Sequence, residues 1–258
     1  MNRFKTKKSL GQHFLNDDQI ALQIVEALQP VLTDGKVIEI GPGLGVLTKF
    51  LIKKYPDQFY ISEIDDRILK LASTQWQLEQ NKILAGDFLR LDLYTLRSKN
   101  IYLIGNFPYN ISSQIVFHLL KYKDVVVLAV GMFQREMAKR ITAKHGNKDY
   151  GVICVLTQAY YTTEYLFEVT PDKFSPPPKV HSAVIRLQRK NQTEMWNESL
   201  LRTIVKTAFN QRRKKLSNAL ASVEGALEIL KKHDWEHLRA EQLSVEDYIQ
   251  FTLELQHE

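Results

Sequence analysis

The sequence predicts an α/β fold: a mostly parallel sheet finished by an antiparallel hairpin, followed by a small all-helical C-terminal domain. Three observations predict it. Short apolar, β-rich runs alternate with helical patterns through the first two-thirds of the chain, as in a parallel sheet covered on both faces. A glycine-rich turn follows the first of these runs and opens a helix. After about residue 191 the strand pattern stops and only helical patterns continue.

In chain order, strands are expected at residues 37–40, 59–64, 82–85, 101–105 and 125–130. Their companion helices are expected at 17–29, 46–54, 66–77, 112–121 and 134–143. Beyond Tyr150 the alternation ends. Residues 151–161 and 165–169 read as paired strands and 183–188 as another, with no helix between them. Within that stretch Phe174-Ser175-Pro176-Pro177-Pro178-Lys179-Val180 reads as a stiff loop near polyproline geometry. Helices follow at 198–209, 213–220, 224–232 and 245–255. The expected domains are 1–190 and 191–258.

A chain of 258 residues has room for a full α/β core plus a small second domain. Hydrophobic content of 44% and charged content of 25% are ordinary for a soluble protein. No apolar run approaches the roughly 18 residues a membrane span requires, and the basic start lacks the apolar stretch of a secretory signal. The single cysteine, Cys154, lies in an apolar run, where it reads as a small buried hydrophobe. These features predict a cytoplasmic protein with no membrane partner, and a monomer as the default.

The net charge of +6 is unevenly spread. Arg3, Lys5, Lys7 and Lys8 crowd the start; Arg202, Lys206, Arg212, Arg213, Lys214 and Lys215 fall in a stretch without an acid. Two concentrated basic segments suggest a polyanion gripped at separate places.

Chemistry concentrates at the expected strand ends. Asn106-Phe107-Pro108-Tyr109 follows the fourth strand. The lone pair of an exocyclic amine such as adenine N6 is delocalised into the ring. An Asn oxygen and a neighbouring backbone carbonyl can accept its two N–H bonds and return that lone pair to nitrogen. Pro108 fixes φ and has no competing N–H, and Tyr109 offers a ring for an unstacked base. Gly41, Gly43 and Gly45 follow the first strand in a Gly-x-Gly-x-Gly spacing, one residue short of the dinucleotide fingerprint. That spacing points to a single nucleoside-like cofactor. Glu63 ends the second strand, where an acid can accept from a ribose diol. Asp87 follows the third, where its carboxylate can accept from an adenine amine with Phe88 against the ring. Four such features at one sheet edge define a ligand crevice. His13, His118, His145 and His181 have no metal-ligand spacing, so no metal is expected.

This series resembles the bacterial 16S rRNA adenine N6-dimethyltransferases (the KsgA/RsmA family). The resemblance runs nearly end to end through residues 8–17, 39–45, 106–112, 174–182 and 208–214. It implies a Rossmann-like class I methyltransferase sheet and S-adenosylmethionine as donor, with no metal. It also implies two adjacent adenosines near the 3′ end of 16S rRNA, in an assembling small subunit, as acceptors. Carried over residue by residue, cofactor contacts fall on His13, Leu15, Gly41, Gly43, Glu63, Asp87 and Asn106. The catalytic tetrapeptide is Asn106, Phe107, Pro108 and Tyr109. Tyr109 and Phe174 would stack on the target base, and Arg212, Arg213, Lys214 and Lys215 would grip RNA. Many relatives have Leu or Ile at Phe107, so its effect on the pocket is open. An Erm-type 23S rRNA methyltransferase is the close alternative, against which residues 208–214 argue. A non-catalytic assembly factor is the other; a DNA adenine methyltransferase ranks below both.

Overall fold

The computed structural model describes residues 12–191 and 195–256; Arg3, Lys5, Lys7 and Lys8 lie outside them. The strands are β1 (Phe14–Leu15), β2 (Lys36–Ile40), β3 (Phe59–Glu63), β4 (Ile83–Ala85), β5 (Ile101–Asn106), β6 (Val126–Gln134), β7 (Tyr161–Val169), β8 (Phe174–Ser175) and β9 (Ser182–Arg189). The helices are α1 (Asp18–Glu26), α2 (Thr48–Lys54), α3 (Asp66–Thr74), α4 (Ser112–Lys121), α5 (Arg135–Thr142), α6 (Val152–Gln158), α7 (Glu198–Asn210), α8 (Leu216–Ala219), α9 (Ala226–Lys232) and α10 (Val245–Leu255). Among the described residues no helix is long and apolar enough to cross a membrane.

Seven strands form one sheet in the order β4-β3-β2-β5-β6-β9-β7. The pairs from β4 to β6 are parallel, and β6 pairs β9 antiparallel. β2 reads Lys-Val-Ile-Glu-Ile and is buried from Val37 onward, as expected of a strand covered on both faces. Val37, Phe59, Ile61, Tyr102, Ile104 and Val130 belong to one core cluster with Ile24 and Val25 of α1 and Leu51 of α2. Helices α1 and α3 start on side-chain caps: Asp17 accepts from the Gln19 and Ile20 amides, and Asp65 from the Arg67 amide.

Contacts divide the chain into Met1–Ala138 with Glu164–Arg189, and Lys139–Thr163 with Lys190–Glu258. The second unit therefore takes residues 139–163, which the sequence assigned to the first domain. The reason lies in α6. Residues 151–161, expected as a strand, begin with a helix instead: the Val155 amide donates to Gly151 and the Ala159 amide to Val155. Cys154, Val155, Leu156 and Thr157 are all buried, and α6 packs on α7 and α10. A short helix covered on most of its faces loses the polar stripe that would have marked its period. Within this unit Tyr150, Phe209 and Tyr248 form a chain of ring contacts, and Ser244 and Asp247 form a capping box on α10.

Candidate active site

The strand order reverses between β2 and β5: β3 and β4 extend to one side, β6 to the other. Ligands in open α/β sheets bind outside the carboxyl ends at such a switch point. A cavity of about 220 Å³ lies there. It is lined by His13, Leu15, Gly41, Gly43, Glu63, Asp87 and Asn106 to Tyr109, so every expected cofactor contact is brought together. Gly43 has φ +56°, and a Cβ there would lie 2.9 Å from the Phe14 ring. Only glycine combines that backbone with so close an approach.

Glu63 is buried, and its Oε1 accepts from the Ile64 and Asp65 amides at 2.7 and 2.8 Å. Its neighbour Asp65 caps α3 and pairs with Arg67 at 2.6 Å. The Glu-Ile-Asp-Asp run thus separates into a cavity acid, Glu63, a structural acid, Asp65, and an exposed acid in the first turn of α3, Asp66. Asp87 does both jobs. Its Oδ1 caps the turn Phe88–Arg90 through the Leu89 amide at 3.0 Å, and its side chain lines the cavity.

A third acid, not singled out from the sequence, shares the cavity. Glu39 of β2 is 1% exposed and lines the same space. Thr48 donates to its Oε2 at 2.7 Å. Burial, reinforced by the nearby Glu63 charge and opposed by the Thr48 hydrogen bond, pushes its carboxyl up to about 8. A charged residue inside an apolar strand, just before a glycine turn, was the available signal.

The tetrapeptide is held from several sides. Asn106 Nδ2 donates to the His13 carbonyl at 2.8 Å, which fixes the amide so that its oxygen is the end left for a ligand. The Phe107 amide donates to Met132 and the Ile111 amide to Pro108. The Phe107 ring is buried edge-on against Phe133, in a slot where a Cβ on Gly131 would lie 2.2 Å from it and one on Gly105 3.0 Å. Its bulk therefore goes into the sheet, where two glycines make room. Tyr109 lies with its hydroxyl 2.5 Å from Ser182 Oγ and its ring stacked on His13 at 5.5 Å. Burial raises the Tyr109 phenol, partly offset by Ser182.

Two aromatic expectations are corrected. Phe174, expected over the target base, is 4% exposed and belongs to the hydrophobic core. It pairs with Leu15 across the β1–β8 ribbon and does not line the cavity. Phe88, expected against the cofactor ring, is buried edge-on to His118 at 4.9 Å; Leu89 lines the cavity in its place. The turn between Asp87 and the apolar Leu89 sends Phe88 inward.

In the second unit Arg213, Lys214 and Lys215 are exposed. Arg212 is not comparable: its guanidinium hydrogen-bonds to the carbonyls of Lys148 and Asn147.

The cavity lining contains Glu39, Glu63 and Asp87 but neither Lys nor Arg. Such a donor set suits a cationic nucleoside and offers no partner for phosphates. Among the described residues no metal-ligating cluster of His, Cys, Asp and Glu is found.

The family model described as ribosomal RNA adenine dimethylase matches residues 3–257. The chain is 44% identical to the ribosomal RNA small subunit methyltransferase A of Cytophaga hutchinsonii, over 98% of each chain. It is also 44% identical to the protein of that name from Flavobacterium johnsoniae, over 99% of this chain and 98% of the relative. Among solved structures, a dimethyladenosine transferase from Plasmodium falciparum superposes with a TM-score of 0.82 at 24% identity, covering 95% of this chain and 98% of that one. The 23S rRNA methyltransferase ErmE follows at TM-score 0.74 and 24% identity, over 94% and 99%. At these identities the two superpositions speak to the fold.

Proposed function

This chain belongs to the ribosomal RNA adenine dimethylase family, and from that premise we propose how it works. It is an rRNA adenine methyltransferase. Its substrates on this reading are two adjacent adenosines near the 3′ end of 16S rRNA in an assembling small subunit, each receiving two methyl groups at N6. The donor is S-adenosylmethionine, and the protein acts as a cytoplasmic monomer. The observation that carries the reading is the cavity at the switch point, with three acidic side chains, neither Lys nor Arg, and an oriented Asn106 amide.

The bound donor supplies a sulfonium methyl whose leaving thioether is neutral, so attack needs no strong acid. The residues do the rest by position. Gly41 and Gly43 let the backbone approach the donor closely, while Glu63 accepts from its ribose hydroxyls and Asp87 from its adenine amine. His13 and Leu15 close that side of the cavity. Asn106 Oδ1 and the Phe107 carbonyl accept the two N–H bonds of the target adenine N6, restoring its lone pair for in-line attack on the methyl carbon; as the C–S bond breaks, the proton lost from N6 passes to solvent. One face of Tyr109 is taken by His13; the target base, splayed from its stack, lies on the other. Arg213, Lys214 and Lys215 hold RNA phosphates, which makes binding salt-dependent.

The test is methyl transfer from radiolabelled donor to undermethylated small subunits, 23S rRNA or duplex DNA, with dimethyladenosine mapped afterwards. Label in small subunits at adjacent adenosines is expected. Label confined to 23S rRNA would overturn the substrate assignment, and none anywhere would favour an assembly factor without turnover.

A further inference from the structure

Arg212 lies in a run of four cations, yet its guanidinium is engaged by neighbouring backbone and by Glu241. Nη1 donates to the Lys148 carbonyl at 2.8 Å and Nη2 to the Asn147 carbonyl at 3.3 Å, while Nε lies 3.4 Å from Glu241 Oε2. The Glu241 carbonyl in turn accepts from the Gly146 amide at 2.6 Å. Asn147 Oδ1 takes the Asp149 amide at 2.9 Å, and Gly146 turns the chain at φ +78°. An exposed loop usually has few such ties. This one is fastened from two directions to the end of α7 and to the turn Ala240–Gln242.

What the fastening presents is charge. Residues 137–148 contain no acid, and Lys139, Arg140, Lys144, His145 and Lys148 are exposed along them. Among the described residues no carboxylate pairs with Lys144 or Lys148. Arg213, Lys214 and Lys215 are exposed beside Arg212. Two acid-free segments, 64 residues apart in sequence, are thus joined through one guanidinium.

We propose that Arg212 is a positioning residue and that the loop carrying Lys144 and Lys148 forms, with Arg213, Lys214 and Lys215, one surface for the phosphate backbone of rRNA. This rests on the functional reading above and deepens it. Backbone contacts of this kind fix register without reading sequence, and a fastened loop loses less freedom on binding than a mobile one.

The experiment measures binding of the full chain to undermethylated small subunits across potassium chloride concentrations. Lys144→Gln/Lys148→Gln should weaken binding about tenfold at low salt and reduce the slope of log K against log salt by roughly one to two, with donor affinity unchanged. Arg212→Gln should bring a similar loss, speed hydrogen exchange at the amides of residues 146–149, and add little to the loop double variant. Unchanged affinity and slope in Lys144→Gln/Lys148→Gln overturns the surface. An additive Arg212→Gln effect with unchanged exchange overturns the positioning role and makes Arg212 a direct phosphate ligand. Wild-type protein that labels small subunits while the loop variants bind normally sinks this inference alone. Wild-type protein that labels none sinks the functional reading.

Discussion

The cavity between β2 and β5 and the loop fastened by Arg212 handle charge in opposite ways. In the cavity the acids are few and each is oriented by named hydrogen bonds: buried Glu63 by two amides, half-buried Asp87 by one, and Glu39, whose carboxyl burial holds toward its neutral form, by Thr48. On the loop and the neighbouring 213–215 segment they are several, basic and exposed. Buried charges are screened little, so each has a large and specific effect. Exposed ones are screened by salt, and they count by number. The first region suits the discrimination of one small cation; the second suits adhesion to a long polyanion.

The contrast can be broken at several points, in descending order of effect. Asn106→Ala should lower turnover about 10²- to 10³-fold, as loss of a preorganised polar contact does elsewhere, while leaving subunit affinity intact; steady-state kinetics beside filter binding checks this. Full turnover would remove Asn106 from the reacting amine. Glu63→Gln should raise the donor KM roughly 10- to 100-fold, the range expected when a charged acceptor is lost, with a smaller change in kcat. Added salt should leave donor binding nearly unaffected while subunit binding falls steeply, and equal sensitivity of the two would erase the distinction.

Glu39 gives a fourth point. Its carboxyl is raised from 4.5 to about 8 in the fold, so between those values the native state holds a proton that the unfolded chain has lost. Stability from this group is therefore complete below about pH 4.5 and declines as pH rises through 8. Glu39→Gln should flatten that decline, and the difference in Tm from wild type should widen by a few degrees toward alkaline pH. Melting curves of the donor-free protein at stepped pH decide it; parallel curves would mean Glu39 is ionised in the fold. The smallest effect belongs to Phe107→Leu. Its ring fills a slot in the sheet, so the loss should be about 1 kcal/mol of stability, with turnover within a few-fold. A large drop in kcat would show that the ring shapes the reacting geometry after all.

Most of the cavity was legible in the sequence because strand ends mark themselves. Glycines at 41 and 43, the acids at 63 and 87 and the Asn-x-Pro-Tyr run break the apolar pattern of the strands, and each sits where a strand stops. What stayed hidden depended on burial or on distant backbone. Phe88 and Phe174 look like available rings until packing turns them inward. Glu39 looks like a strand residue until the fold closes the space around it. Arg212 looks like its three neighbours, since its partners are carbonyls supplied by another segment. In α6 an apolar run fits two periods equally, and only its packing partners choose the helix.

The β1–β8 ribbon carries a consequence for synthesis. The His13 and Leu15 wall of the cavity is fastened by residues far along the chain: His13 Nδ1 donates to the Pro176 carbonyl, the Asn16 amide to Lys173, and Lys173 pairs with Asp17. A nascent chain that has emerged only through β6 holds the glycine turn, Glu63, Asp87 and Asn106 with its bond to the His13 carbonyl, but lacks β8 and the Lys173 and Pro176 partners that fasten that wall. Donor capture should therefore appear late during translation, after residue 176 has cleared the exit tunnel, which a series of stalled nascent chains of increasing length would time.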